Sequence, residues 1–564
     1  MPAKQTKYIF VVGGVMSGVG KGVASASIGK ILQSRGIEVT ALKIDPYVNV
    51  DAGTMSPTEH GEVFVLDDGT ECDQDMGNYE RFLDRDLTRT NYMTTGSVYL
   101  SVIQKERNLE FGGKQVEVVP RIPLEIIERI NKAVVKAHAK VAITEIGGTV
   151  GEYENILFLE AVRMLKIKNP RDVVLVLVSY VPALGAGGNE LKTKPTQHAV
   201  RSLNAVGLNP DIILARAHIP MDEKRKEKIE FMCSLEKGDV ISAPNVENIY
   251  QVPVNFENDG LGDRILKKLR MLSGKRDMKE WREMVLKMNS ATRSVRVGIV
   301  GKYFGTGEFV LEDSYISVIE AIKHAGGKVG CVPEIIWLNS EQFEKDPKSL
   351  KELNKFDGII VPGGFGSRGI EGKISVIKYC REKKIPYFGL CYGMQLAVIE
   401  FARNVALMKD ANTTEINPKT SYPVVDIMLE QKKNLKEKNF GATMRLGAYP
   451  AILKERSIAN AAYLSAGALA KEDGKKQISE RHRHRYEVNP EYIEKLEKTG
   501  LIFSGTSPDF RLMEIAELSQ TKHPFFLGTQ FHPELKSRPL HPHPLFIAFL
   551  EACVLRCKNI KDTP

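Results

Sequence analysis

Short apolar runs of strand length alternate with helical stretches along most of the chain, the pattern of parallel sheets with helices on both faces. Tyr8 to Val12 reads as a first strand. The stretch from Lys21 to Ser34 has helical spacing and stops at Gly36, a natural C-terminal signal. Val39 to Ile44, Val141 to Ile146, Val173 to Val178, Asp211 to Ala215 and Val240 to Ser242 supply further strands. The charged stretch 271–294 interrupts the alternation, and a fresh strand begins at Val295 to Val300. A helix over Ser314 to His324 and strands at Gly358 to Val361 and Pro386 to Leu390 then restart it. The pattern predicts an α/β protein of two domains, over 1–275 and 295–564, joined by a linker at 276–294. Residues 409–445, rich in polar residues and Lys, read as a long surface excursion.

Composition narrows the class without changing this layout. With 43% apolar and 26% charged residues among 564, the chain is ordinary for a globular protein. No apolar run approaches membrane-spanning length, and the N-terminus lacks a secretory pattern, so a cytoplasmic location is the default expectation. The seven cysteines show no metal-ligand spacing, and their odd number argues against a full disulfide framework. Cys553 and Cys557 fall on one face of an apolar terminal helix and read as core. The net charge of +9 is spread among interleaved acids, which suits anionic small molecules as well as nucleic acid.

Two separate chemistries stand out. GGVMSGVGKG, Gly13 to Gly22, lies between a strand and a helix, where backbone N–H groups and the helix dipole favour phosphate oxygens. Lys21 can reach the outer phosphates. The loop departs from the usual GxxxxGK[ST] spacing, with Gly22 in place of the magnesium-binding hydroxyl. Carboxylates should then compensate, and Asp75 and Glu145 are the candidates, Glu145 at a strand's carboxyl end. The bland alternatives are a tight turn with an exposed lysine and, for Asp75, a solvated acid. Lys43 ends a strand, His60 follows on a loop, and Lys192 and Lys194 in KTKPTQH suit a second triphosphate.

In the second half, FGLCYGMQ ends a strand at Cys391 and turns into a helix, the layout of a nucleophile elbow whose helix N-terminus favours the thiolate. His532 and Glu534 in FHPE provide a general base and its orienting carboxylate. Gly363 and Gly364 can offer N–H groups to an oxyanion. The basic run RHRHRYEVN is open to two readings, a solvated loop or an arginine that grips an α-carboxylate.

On GGVMSGVGKG, KIDPYVNVDAGTMSPTEHGEVFV, DMGNYERF, EIGGTVGE, KTKPTQH, GLCYGMQ, RHRHRYEVN and FHPE, from Tyr8 to about Glu551, the chain resembles the CTP synthase family of glutamine-hydrolysing ligases. The resemblance implies a P-loop-type amidoligase domain followed by a class I glutamine amidotransferase domain. It implies ATP-dependent phosphorylation of UTP at its 4-oxygen and displacement of that phosphate by ammonia freed at Cys391 and carried through an internal passage. Magnesium, activation by GTP, inhibition by CTP in competition with UTP, and a homotetramer, with filaments as a further assembly, are implied with it. Gly18, Val19, Gly20, Lys21, Gly22 and Lys43 would contact ATP, and Asp75 and Glu145 would also hold the metal. Ser17, Glu152, Tyr153, Glu154, Lys192, Thr193, Lys194, Pro195, Thr196, Gln197 and Lys228 would contact UTP or CTP. Gly364, Tyr392, Gln395, Glu415 and Arg485 would position glutamine, His60 would guard ammonia entry, and Arg445 would serve GTP activation.

Two residues depart from the family pattern: Tyr392 where leucine is common, which bears on the glutamine pocket, and Glu152 where aspartate is usual, which bears on CTP inhibition. A different ATP-using, glutamine-dependent ligase is the rival enzyme reading, and a nucleotide-responsive scaffold the non-enzymatic one.

Overall fold

The computed structural model describes residues 6–184, 190–301, 312–364, 366–428, 431, 443–467, 470–472 and 475–561. The chain forms two units. One comprises Met1–Ala52 and Asp75–Val285, and the other Gly53–Gln74 and Leu286–Pro564.

The first unit is built on a seven-stranded sheet, ordered Val240–Pro244, Ile212–Ala217, Val173–Tyr180, Lys7–Gly13, Val141–Ile146, Val39–Asp45 and Tyr92–Thr94. Every pairing is parallel. Val173–Tyr180 is buried except at Tyr180, as its unbroken run of branched residues demands of a strand covered on both faces. Phe10 and Val12 join a core with Ile126 and Phe158 on one face. On the other, Gly29 of the helix Lys21–Gln33 lies so near the sheet that a β-carbon there would meet Ile143 Cδ1 at 3.3 Å. The helix Lys279–Ser290 occupies much of the stretch read as a linker, and it buries Trp281 against Phe82 and Tyr250 with ring centroids 5.5 and 5.9 Å away.

The second unit carries a ten-stranded sheet. Val332–Asn339, Ser294–Gly301, Gly358–Val361, Tyr387–Leu390 and Phe526–Thr529 run parallel. Met513–Glu517, Ile502–Thr506, Arg445–Leu453, Lys475–His484 and Ala470–Glu472 then continue it in antiparallel sense. Cys553 and Cys557 are buried on the helix Pro544–Lys561. The excursion expected over 409–445 contains strands Ala411–Thr413 and Tyr422–Ile427, which form a small sheet with Tyr486–Val488. Val424 and Val425 are fully buried there, and two adjacent valines amid Pro and Lys are too short a run to show any period. Residues 429–430 and 432–442 of that stretch lie outside the described residues.

Residues 53–74, early in the chain, pack into this second unit. Their hairpin, Val63–Val65 with Glu71–Asp73, gives Asp67 to Arg481 and Glu71 to Arg483, the latter at 2.8 Å. RHRHR is therefore a strand and its continuation, not a solvated loop: Arg481 is fully buried and ion-paired. His482 and His484 alternate with these arginines on the opposite face of the strand, ring nitrogen to ring nitrogen at 2.9 Å, and burial pushes both well below the usual imidazole value.

Candidate active site

In the first unit, the first strand ends at Gly13 and the chain turns through Gly18 and Gly20, both at positive φ, into the helix that begins at Lys21. Glycine alone adopts that conformation at little cost, and the turn leaves N–H groups at the helix start without side-chain cover. Ser17 and Gly18 are exposed while Val19 is buried beneath them. Lys21 donates to the Gly148 carbonyl at 3.0 Å, and burial holds its ammonium below the usual lysine value against the pull of Glu145.

Lys43 and Glu145 are register partners on adjacent strands. The Lys43 ammonium donates to Glu145 at 2.8 Å, also donates to Asp75, and stands 3.7 Å from Asp45. Asp75 opens the helix Asp75–Leu83; burial would raise its carboxyl, but Lys43 holds it low. Glu145 goes the other way, raised by burial and by the charge of Asp75. Tyr79 donates its hydroxyl to the second Glu145 oxygen, fixing that carboxylate. A β-carbon on Gly22 would stand 2.0 Å from Asp75 Oδ1, so the missing hydroxyl residue is the condition for the carboxylate's position. Two oxygen-donor carboxylates converging on one cation suit magnesium, which takes its remaining ligands from phosphate and water. Among the described residues no group of three acidic, His or Cys side chains gathers for a metal.

A cavity of about 300 Å³ adjoins Gly20 and is walled by Val23, Leu214, Arg216, Ala243, Asn245 and Phe256. Arg216 is tied to the Ala243 and Pro244 carbonyls at 3.0 and 2.9 Å. Sequence reading missed this wall. The available signal was position, since Arg216 and Asn245 stand at the carboxyl ends of parallel strands, where ligand crevices form.

The remaining triphosphate candidates are less tightly gathered. Lys192 pairs with Glu190, and Lys228, exposed on Glu223–Met232, is one of the cations acting on that same carboxylate. Thr193 accepts from Gln197 at 3.1 Å, and Thr196 from Ser179 at 2.9 Å. Lys194 and Pro195 begin the helix Lys194–Ala205. The Gln197 Oε1 atom is buried without a hydrogen-bond partner. Glu152 accepts from the Thr149 N–H and hydroxyl at 2.8 and 2.7 Å, while Tyr153 and Glu154 are exposed.

In the second unit, Cys391 has φ 49° and ψ −97° at the junction of Tyr387–Leu390 and the helix Tyr392–Asn404. This strained elbow holds its side chain out of both elements. A cavity of about 90 Å³ brings together Gly363, Gly364, Cys391, His532 and Glu534 with Pro57, Glu62 and Val63. His532 bonds Glu534 through Nδ1 at 2.7 Å. Burial alone would lower the His532 value, but Glu534 and Cys391 raise it well above the ordinary range.

Tyr392 reaches across with its hydroxyl to the Gly366 carbonyl at 3.2 Å, and Gly366 donates its N–H to Glu415 at 3.0 Å. The tyrosine thus ties down the loop beside Gly364, a bond leucine could not make. Gln395 donates to the Tyr486 carbonyl at 2.9 Å. Arg485 bonds Gln431 and Thr443 at 2.7 and 2.9 Å and does not line the cavity. Arg445 is buried between Glu487 at 3.1 Å and Glu514 at 2.8 Å and stacks on Tyr449. His60 ends the short helix Pro57–His60.

A phosphate-type loop with a lysine and two carboxylates in one unit, and a cysteine–histidine–glutamate group on an elbow in the other, define an amidotransferase-coupled α/β enzyme. Residues 7–271 match the family model described as CTP synthase N-terminus, and 310–552 match that of class-I glutamine amidotransferase. The chain belongs to the CTP synthase family. It is 50% identical over 557 residues to the CTP synthase of Methanococcoides burtonii, covering 99% of this chain and all of that one. It is 51% identical over 548 residues to that of Carboxydothermus hydrogenoformans, covering 97% and 98%. A solved structure described as the glutaminase domain of Trypanosoma brucei CTPS with bound acivicin is 38% identical, covering 46% of this chain and 94% of its own, with a TM-score of 0.40. No described helix is long and apolar enough to cross a membrane.

Proposed function

We propose that this protein aminates UTP to CTP, using ATP to activate the pyrimidine and glutamine to supply nitrogen. The observation that carries the reading is the convergence of Lys43, Asp75 and Glu145 beside the Lys21 loop, in a chain half identical throughout to CTP synthases. ATP lies with its phosphates on Gly18 to Gly22 and Lys21, and its base in the cavity walled by Arg216 and Phe256. Asp75 and Glu145 hold Mg2+, which neutralises phosphate charge when bound. UTP is gripped by Ser17, Glu152 to Glu154, Lys192 to Gln197 and Lys228, with Gln197 Oε1 free to accept from the base. Phosphorylation of the UTP 4-oxygen makes it a leaving group, and ammonia displaces it.

Ammonia comes from glutamine held by Gly364, Tyr392, Gln395, Glu415 and Arg485. Cys391 attacks the carboxamide carbon, Gly363 and Gly364 N–H groups face the oxyanion, and His532 hands its proton to departing ammonia. His532 then activates water against the thioester, with Glu534 holding the ring. The ammonia is passed on past His60 without meeting bulk water, because protonation would remove its lone pair. GTP activates through the Arg445 region, CTP inhibits at the UTP site, and the protein works in the cytoplasm as a homotetramer, with filaments as a further assembly.

Purified protein supplied with UTP, ATP, magnesium and [amide-15N]glutamine tests this. The label should appear at the cytosine 4-position of CTP. Absence of CTP with either glutamine or ammonia would defeat the proposal.

A further inference from the structure

Cys391 has a second neighbour that the mechanism leaves unused. Gln530 lies two residues before His532, fully buried, just past the end of Phe526–Thr529. Its backbone is pinned by donation to the Glu514 carbonyl at 2.8 Å, and the preceding residue, Thr529, accepts from the Cys391 N–H at 2.6 Å. The Gln530 side chain ends with Nε2 at 3.6 Å from the Cys391 sulphur.

The direction of this amide follows from its other partner. Gln395 Nε2 lies 2.9 Å from the Tyr486 carbonyl, which can only accept, so that end of Gln395 must be the NH2. The same NH2 is 3.3 Å from Gln530 Oε1. Gln530 therefore accepts at its oxygen and presents its own NH2 to sulphur. Turning the amide over would set two NH2 groups against each other and aim a carbonyl at a thiolate. The relay runs from the Tyr486 carbonyl through Gln395 and Gln530 to Cys391.

We propose that Gln530 is a positioning residue of the glutaminase step, its N–H holding the Cys391 sulphur in its ionised form and in line for attack; this rests on the function proposed above. A buried anion needs more than one donor. His532 gives up its proton when ammonia leaves, so it cannot serve the sulphur at every stage. When water breaks the thioester, the C–S electron pair returns to sulphur, and the Gln530 N–H is already there to receive it.

The test uses the full chain with Gln530→Leu and Gln530→Glu. Alkylation of Cys391 by iodoacetamide is followed by peptide mapping, beside steady-state rates with glutamine and with ammonia. In Gln530→Leu, neutral-pH alkylation and the glutamine-dependent kcat should each fall about tenfold, the worth of one charge-assisted hydrogen bond. The KM for glutamine and the ammonia-dependent rate should stay near parental, and alkylation rates should converge at alkaline pH. Gln530→Glu, similar in shape but without the donor, should be slower still at neutral pH. Parental alkylation in both variants overturns the proposal, as does a loss shared equally by the ammonia-dependent rate alongside a lowered melting temperature. If the parent makes no CTP from either nitrogen source, the functional reading fails by itself, and the alkylation rates still decide the role of Gln530.

Discussion

Gly22 and Asp75 exclude any larger pair at their positions: a β-carbon on the glycine would lie 2.0 Å from the carboxylate oxygen. The relationship explains why a phosphate loop here lacks its usual hydroxyl. Gly22→Ser, which restores the hydroxyl residue after the lysine, should cut CTP formation by about a hundredfold, the scale of an ångström-sized misplacement of a reacting group. Rates with ammonia and glutamine should fall together, measured as CTP released.

Separation of the two chemistries predicts opposite outcomes at two residues. Cys391→Ala should abolish glutamine-dependent CTP formation and leave the ammonia-dependent rate in place. Lys21→Ala should remove both, because the phosphate site serves either nitrogen source. Chromatographic assay of CTP with each nitrogen donor distinguishes them.

Glu534→Gln removes the carboxylate that, with Cys391, keeps His532 charged against the opposing effect of burial. Because the folded value is raised, the stabilisation is complete below the unfolded imidazole value of about 6.5 and fades as pH climbs through the folded one. The melting temperature of this variant should therefore fall furthest below parental at about pH 6, and the gap should close towards alkaline pH. Its glutamine-dependent kcat should drop by about a hundredfold, within the range of general acid–base contributions.

Trp281 is fully enclosed, donates its ring N–H to the Tyr250 carbonyl at 2.8 Å and lies 4.8 Å below the Lys30 ammonium. Trp281→Ala should cost about 3–5 kcal/mol, as large aromatic truncations in cores do. Urea titration followed by circular dichroism reads the loss.

Much of the architecture was legible because parallel strands declare themselves. VVLVLV at Val173 to Val178 has no reading but a doubly covered strand once helical stretches flank it. Cys391, His532 and Glu534 were legible too, since elbow and FHPE each carry a local signature, and the structure brings all three to one cavity. Three features were hidden for physical reasons. Val425 gains its partner Val488 some sixty residues on, and no local period announces a pairing made at that distance. Arg481 and Arg483 look solvated until Asp67 and Glu71 arrive from the far end of the chain. Gln530 has no motif of its own, and its meaning depends on which way two amides face.

Because residues 53–74 belong with the thiol-bearing unit, no single peptide bond divides this chain into two self-sufficient pieces. A fragment expressed from about residue 286 onward would keep Arg481 and Arg483 but leave their acidic counterparts behind, together with Pro57, Glu62 and Val63 from the cavity wall. Anyone exchanging halves between relatives must transplant that early hairpin with the later half, or hand the recipient two arginines deprived of these carboxylates and an open flank beside its nucleophile.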